Sequence, residues 1–244
     1  MTYCVGLLLE QGLVFASDTR TNAGVDQVAT SPKMHVFEVE NDRVIVLLTA
    51  GNLAITQSVV SHLKASISKP KKGGKHLLNV DSMFDAAGLV GEALRASFER
   101  DAEALKNHSI DFNASILLGG QIKGEKPRLF NVYAAGNFIE TCAETPYFQI
   151  GETKYGKPII DRVVKYHTEM MDAVKCLLIS FDSTIRSNVS VAAPIDMLLY
   201  RTDSLHANCK ERITENDPYF AQIRQGWGDG LKKVFSALPS PDWC

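Results

Sequence analysis

Short apolar runs, broken every few residues by polar turn signals, fill the first fifty positions of the chain. Val5–Leu9 and Leu13–Ser17 are two such runs, separated by Glu10-Gln11-Gly12, and read as a hairpin. Val36–Val39 and Val44–Thr49 form a second pair around Glu40-Asn41-Asp42, with Lys33 entering it directly after Pro32. The period then changes. Thr56, Val59, Val60, Leu63 and Ile67 recur at helical spacing behind Asn52, whose side chain suits an N-cap. Phe84, Ala87, Gly91, Leu94, Phe98, Ala102 and Leu105 trace one face of a longer helix starting near Asp81. Strands are predicted over 114–119, 128–134 and 138–141, helices over 157–170 and 171–183, and a strand over 195–201 that closes the sheet region. Gly119-Gly120 and Gly136 read as hairpin-turn glycines, and the tail past Arg212 as partly helical.

The order is strands, two helices, strands, two helices, strand. Helix pairs cover the outer face of a sheet whose other face also needs burial, and two stacked sheets between two helical layers satisfy both needs. Hairpin connections argue against a parallel βαβ architecture. Neither a linker nor a repeat interrupts the 244 residues, so the expectation is a single domain over 1–244 with a C-terminal extension from about 212.

Composition narrows the function classes. Apolar residues make up 45% and charged residues 22%, which is globular; a net charge of -2 offers no broad attraction for nucleic acid. Cys4–Leu9 is short, lacks a basic flank and stops at Glu10, so neither a signal peptide nor a membrane span is expected. Cys4, Cys142, Cys176, Cys209 and Cys244 are scattered without a C-x-x-C pair, which suits a reducing cytoplasm. The basic run Lys69-Pro70-Lys71-Lys72-Gly73-Gly74-Lys75 reads as a solvated loop. His206 and Cys209 have ligand-like spacing but no second close pair, and no metal or cofactor is expected.

The candidate chemistry lies at the N-terminus. Thr2 follows Met1 directly, and the first hairpin brings Asp18 opposite or diagonal to it. An N-terminal threonine carries its own general base: the hydroxyl attacks, and a free α-amine with a reference pKa of roughly 7.7 takes the proton. Removal of Met1 is a condition, because an acylated nitrogen is an amide and no base. Lys33 is the expected cation beside Thr2, lowering the amine pKa and stabilising negative charge on oxygen, with Asp18 holding it in place. A buried Asp–Lys pair serves a purely structural role equally well. Backbone N–H groups of 47–52, where a strand runs into a helix, are candidate oxyanion donors, against a reading in which Gly51 only eases the turn. Arg20 is a candidate for a substrate carboxylate or a surface salt bridge.

These segments resemble the proteasome-type N-terminal-nucleophile peptidases, and among them the bacterial proteasome-related family called ancestral β-subunits. The resemblance rests on Thr2-Tyr3-Cys4-Val5-Gly6, Ala16-Ser17-Asp18-Thr19-Arg20-Thr21, Ser31-Pro32-Lys33-Met34 and Thr49-Ala50-Gly51-Asn52. It extends through Leu118-Gly119-Gly120 and Asp182-Ser183, about the first 200 residues. It implies an α+β fold, a four-layer αββα sandwich of the N-terminal-nucleophile hydrolase type. Thr2 is then the nucleophile, Asp18 and Lys33 the acidic and lysine positions, and the backbone near Leu48 or Thr49 the oxyanion donor. It further implies self-association into a ring or open ring, and a peptide or unfolded-protein substrate.

Two departures from the proteasome pattern stand out. Gly151-Glu152-Thr153 occupies the place of Gly-Ser-Gly, and Asp182-Ser183-Thr184-Ile185-Arg186 that of Asp-x-x-Ser-Gly. Asp182 carries over as a supporting residue; the two serines do not, and Ser187 is a candidate substitute. Methionine removal replaces self-cleavage of a long propeptide. Three functions remain open: a threonine peptidase, a catalytically weak or inactive self-assembling scaffold, and an amidohydrolase of a non-peptide amide.

Overall fold

The computed structural model describes residues 1–22 and 28–243. The first hairpin forms as expected, from β1 (Tyr3–Leu9) and β2 (Gly12–Asp18), in the register Cys4 opposite Ser17. A small second hairpin that the sequence did not suggest follows, β3 (Arg20–Asn22) with β4 (Val28–Thr30). Then come β5 (Met34–Val39) and β6 (Arg43–Gly51), joined at Asn41, whose positive φ of 61° turns the chain. Asn52 caps α1 (Leu53–Ser68), its side chain accepting from the N–H groups of Ala54 and Ile55, and Ser82 caps α2 (Met83–Asn107). After β7 (Ala114–Ile122), β8 (Arg128–Val132) and β9 (Phe138–Glu140) comes β10 (Tyr147–Gly151), then α3 (Lys157–Val163) and α4 (Met170–Ser187). The chain ends in β11 (Ile195–Arg201), β12 (Cys209–Ile213) and α5 (Pro218–Ala237).

One antiparallel sheet runs β10-β1-β2-β11-β12 and the other β5-β6-β7-β8-β9. Alternation along the strands sorts the buried apolar side chains into three interfaces. Val14 and Ala16 of β2 turn outward with Tyr3, Val5 and Leu7 of β1 to meet α4 and Phe220 of α5. Ile45 and Leu47 of β6 turn outward to meet α1 and α2. Cys4, Phe15, Val46, Leu48, Leu117 and Leu198 fill the space between the sheets. The result is the expected four-layer αββα sandwich of an α+β protein. Burial on both faces explains why the strands read as nearly continuous apolar runs.

Several expectations are corrected. The helix predicted over 157–170 stops at Val163, because the next segment is drawn to the β1–β2 turn instead. There the Glu10 N–H donates to the Tyr166 carbonyl (2.9 Å), and Gln11 bonds both the Glu169 carboxylate and the Met170 N–H. β11 does not close its sheet but lies between β2 and β12. The apolar face of α2 is turned from the predicted one: Met83, Ala86, Ala87, Val90 and Leu94 are buried, while Phe84 and Phe98 are half exposed and meet Phe138 and Phe112 edge-on.

Gly119 and Gly120 are not turn residues but lie inside β7. A Cβ on Gly119 would stand 2.8 Å from the ring of Phe15, so its absence lets the sheets close over that ring. Gly119→Ala is therefore expected to lower stability by about 1–3 kcal/mol through overpacking, read as a lower denaturant midpoint at unchanged slope.

Candidate active site

Register decides what meets at the N-terminus. Cys4 lies opposite Ser17, so Asp18 falls opposite Tyr3, diagonal to Thr2. Its Oδ1 accepts the Tyr3 N–H at 2.9 Å. The β3–β4 hairpin returns the chain to the same spot, where the Ser31 N–H donates to the Thr19 carbonyl at 2.8 Å. Two residues later Lys33 points its ammonium inward, donating to Asp18 Oδ1 at 2.7 Å and to the Arg20 carbonyl at 2.6 Å. Two of its three N–H groups are thus engaged among the described residues, and Lys33 lines a cavity together with Thr2.

All three residues are buried, Thr2 at 9%, Asp18 at 0% and Lys33 at 4% exposure. Burial raises the Asp18 carboxyl above its ordinary 3.8, with Lys33 and the Tyr3 N–H opposing it. Asp18 Oδ2 has no hydrogen-bond partner among the described residues. The terminal amine of Met1 is lowered from 8.0, first by burial and then by Lys33, while Asp18 and Glu152 act in the opposite direction. Beside them Cys4 is fully buried and its thiol is raised by that burial, which removes it as a competing nucleophile.

The backbone donors are also fixed by strand alternation. The Thr49 N–H donates to the Lys33 carbonyl at 3.0 Å, and the Asn52 N–H to the Asn113 carbonyl at 2.7 Å, on the opposite side. Along β6 the N–H groups of Leu48 and Ala50 therefore face β7, where they lie opposite Leu117 and Ser115. The Gly51 N–H points back to the side of Lys33. This corrects the donor expected at Leu48 or Thr49: both N–H groups belong to the sheet ladder, whereas Gly51 lines the cavity with Thr2. Gly51 has a φ of 107°, and a Cβ there would strike the Asn113 carbonyl oxygen at 2.3 Å.

The cavity of about 600 Å³ runs from Thr2 and Lys33 along Thr49 and Gly51 to Leu53 and Thr56 on the first turn of α1. Asp182 is not among its lining residues. Its nearly buried carboxylate is held by Arg186 (2.9 Å) on α4 and Arg224 (2.8 Å) on α5, so it ties two helices together instead of supporting Thr2. What supports Thr2 was missed in the sequence. Gly151 adopts a φ of 85° where a Cβ would lie 2.0 Å from the Thr2 carbonyl oxygen, and the Glu152 N–H donates to that oxygen at 2.6 Å. The available signal was the departure at Gly151-Glu152-Thr153. Ser187 has no described bond to this cluster; its neighbour Asn188 does, donating to Glu152 Oε2 at 2.9 Å.

Arg20 does not line this cavity and borders a smaller one with Phe220 and Arg224. His206 is hydrogen-bonded to Glu38 through Nδ1. Among the described residues no three His, Cys, Asp or Glu side chains are grouped to hold a metal. Likewise no described helix is long and apolar enough to cross a membrane.

Residues 2–198 match the proteasome subunit family. The chain belongs to that family. Within it the chain falls in the ancestral β-subunit branch. It is similar to Anbu (ancestral β-subunit) from Yersinia bercovieri at 51% identity, over 100% of both chains, with a TM-score of 0.92. It is also similar to the protein in the helical assembly of the Anbu complex from Pseudomonas aeruginosa, at 47% identity over 99% of both chains, TM-score 0.93. Anbu from Hyphomicrobium sp. strain MC1 shares 46% identity over 99% of this chain and 100% of that one, TM-score 0.90. No curated protein matches the chain. Membership of the proteasome family agrees with the fold of an N-terminal-nucleophile hydrolase.

Proposed function

We propose that the chain, once Met1 is removed, is a threonine peptidase. The observation that carries this reading is the buried Lys33–Asp18 pair at 2.7 Å, whose ammonium lines one cavity with Thr2. The Thr2 α-amine takes the Oγ proton as Oγ bonds to the substrate carbonyl carbon. The resulting oxyanion accepts from the Gly51 N–H, and the Lys33 charge stabilises it. The C–N bond breaks as the amine returns its proton to the leaving nitrogen, and water then cleaves the Thr2 ester by the same route. Asp18 keeps the ammonium aimed. With Met1 in place the nitrogen is an amide, and this chemistry is silent.

The amine sets the pH dependence. The Met1 amine is already lowered from 8.0 by burial and Lys33. Thr2 lines the same cavity as Lys33, so its freed nitrogen stays in the field of that charge. Only the neutral amine is a base, so kcat/KM should rise with pH along a limb whose midpoint lies below 8. A midpoint at or above the ordinary amine value would remove the role assigned to burial and Lys33. The reading as a whole is tested by intact mass after exposure to an electrophile: a Met1-free chain should gain one adduct, mapped to Thr2. A chain free of Met1 that never forms it is no threonine peptidase.

The second reading is an inactive scaffold, favoured by the diversion of Asp182 to Arg186 and Arg224. Self-association belongs to both readings. It is supported by the helical assembly of the Anbu relative from Pseudomonas aeruginosa. It also accords with the exposed apolar side chains of α5, among them Leu231, Val234 and Phe235. A cytoplasmic site of action accords with Cys4, Cys142, Cys176 and Cys209 all being free thiols.

A further inference from the structure

We propose that Glu152 is a positioning residue of the active site, its carboxylate serving as the counter-ion that holds the α-ammonium of Thr2 once Met1 is gone. This rests on the peptidase reading of Thr2, and three independent features carry it. The first is proximity imposed by the backbone. Gly151, at a φ of 85°, brings the end of β10 so close to Thr2 that no Cβ fits, and the Glu152 N–H donates to the Thr2 carbonyl at 2.6 Å. Glu152 is therefore fixed to the very residue whose nitrogen is to be freed.

The second is burial with restraint. Glu152 is 5% exposed, and its carboxylate is held by Asn188 Nδ2 at 2.9 Å and by the Lys154 N–H at 3.3 Å. Asn188 is the C-cap of α4, fixed in turn by its own acceptance of the Ser190 N–H at 2.9 Å. A carboxylate is costly to bury without a cation, and neither of these donors carries a formal charge. The third is charge balance. Processing leaves two cations in the site, the Thr2 ammonium and Lys33, while Asp18 is already bound to Lys33 at 2.7 Å. Asp182, the other carboxylate the sequence offered, is occupied by two arginines. Glu152 remains as the second anion, and its field already reaches the amine of Met1.

The charged groups that act on the Met1 amine are thus Lys33, just before β5, Asp18 at the end of β2 and Glu152, just after β10. Lys33 lowers its proton affinity; the two carboxylates raise it. The consequence is a defined resting geometry, with the ammonium held beside Oγ instead of rotating into the cavity.

The test is titration of the Thr2 terminal nitrogen by 15N NMR in the full chain cleaved from an N-terminal fusion to begin at Thr2. Peptide hydrolysis is followed in parallel. Glu152→Gln keeps the size and the Asn188 contact but removes the charge, and should lower the amine pKa by about one unit. The acid limb of kcat/KM should move down by the same amount, while kcat at the plateau falls as the nitrogen is less well oriented. Glu152→Asp should recover part of both. An amine that titrates at the same pH in folded wild type and Glu152→Gln overturns the proposal. A shifted amine without any hydrolysis retains the role of Glu152 and sinks the peptidase reading instead.

Discussion

Thr2→Ala, in a chain from which Met1 has been removed, is expected to lower peptide hydrolysis by on the order of 10⁴-fold or more. Thr21, Thr49, Thr56 and Ser115 also line the cavity, but none of them carries an α-amine to take the hydroxyl proton. Cys4 is buried on the inter-sheet face with its thiol raised, and Thr49, which also lines the cavity, has its Oγ1 directed at the Lys33 carbonyl at 3.4 Å. The substitution leaves the α-amine, Lys33 and Asp18 in place, so it removes the nucleophile alone. Thr2→Ser should retain a measurable rate, because the same amine can take the proton from a primary alcohol. Stability should change by no more than about 1 kcal/mol, since only a hydroxyl and a methyl at the edge of the core are lost. Rate measurements on a peptidyl amide and an electrophile adduct resolved by intact mass decide the matter. If Thr2→Ala hydrolyses as fast as the parent, the nucleophile is elsewhere.

Much of this arrangement is legible in the sequence, for a physical reason. β1, β2 and β6 are buried on both faces, so they stand out as apolar runs, and Glu10-Gln11-Gly12 and Glu40-Asn41-Asp42 punctuate them as turns. Those hairpins alone bring Asp18 beside Thr2 and start β5 next to Lys33. The features that escaped are the ones with weak local signals. β10 buries only Tyr147 and Ile150 among its side chains, and its strand character comes from pairing with β1. The β3–β4 hairpin pairs only three residues on each side.

The misassigned oxyanion donor shows a further limit. Which N–H faces the cavity depends on a two-residue alternation, so a slip from Gly51 to Thr49 keeps the side-chain parity yet falls back inside the ladder with Lys33. Asp182 was legible as a residue but not as a contact. Its fate is decided by Arg224, 42 positions away on a helix that the sequence marked only as a partly helical tail. Long-range pairing of this kind leaves no periodic trace.

Lys33→Met should be the most damaging single change to both stability and activity. It strands the Asp18 carboxylate at 0% exposure with only the Tyr3 N–H as a described donor. An unpaired buried charge of this kind costs about 3–5 kcal/mol. Hydrolysis should vanish too, because the amine loses the cation that lowers its pKa and the oxyanion loses its nearby positive charge. Loss of activity in this variant alone would not separate catalysis from folding. The double variant Asp18→Asn/Lys33→Met does. It leaves no orphaned charge, and replacing both partners of a buried pair is often nearly neutral, so most of the lost stability should return. Activity should not. Denaturant midpoints and hydrolysis rates for the parent, both single variants and the double variant form a closed cycle, whose coupling energy measures the pair itself. Recovery of stability without recovery of rate marks Lys33 as chemically engaged. A double variant that regains both would make the pair a structural staple, and the cavity beside Thr2 would need another source of positive charge.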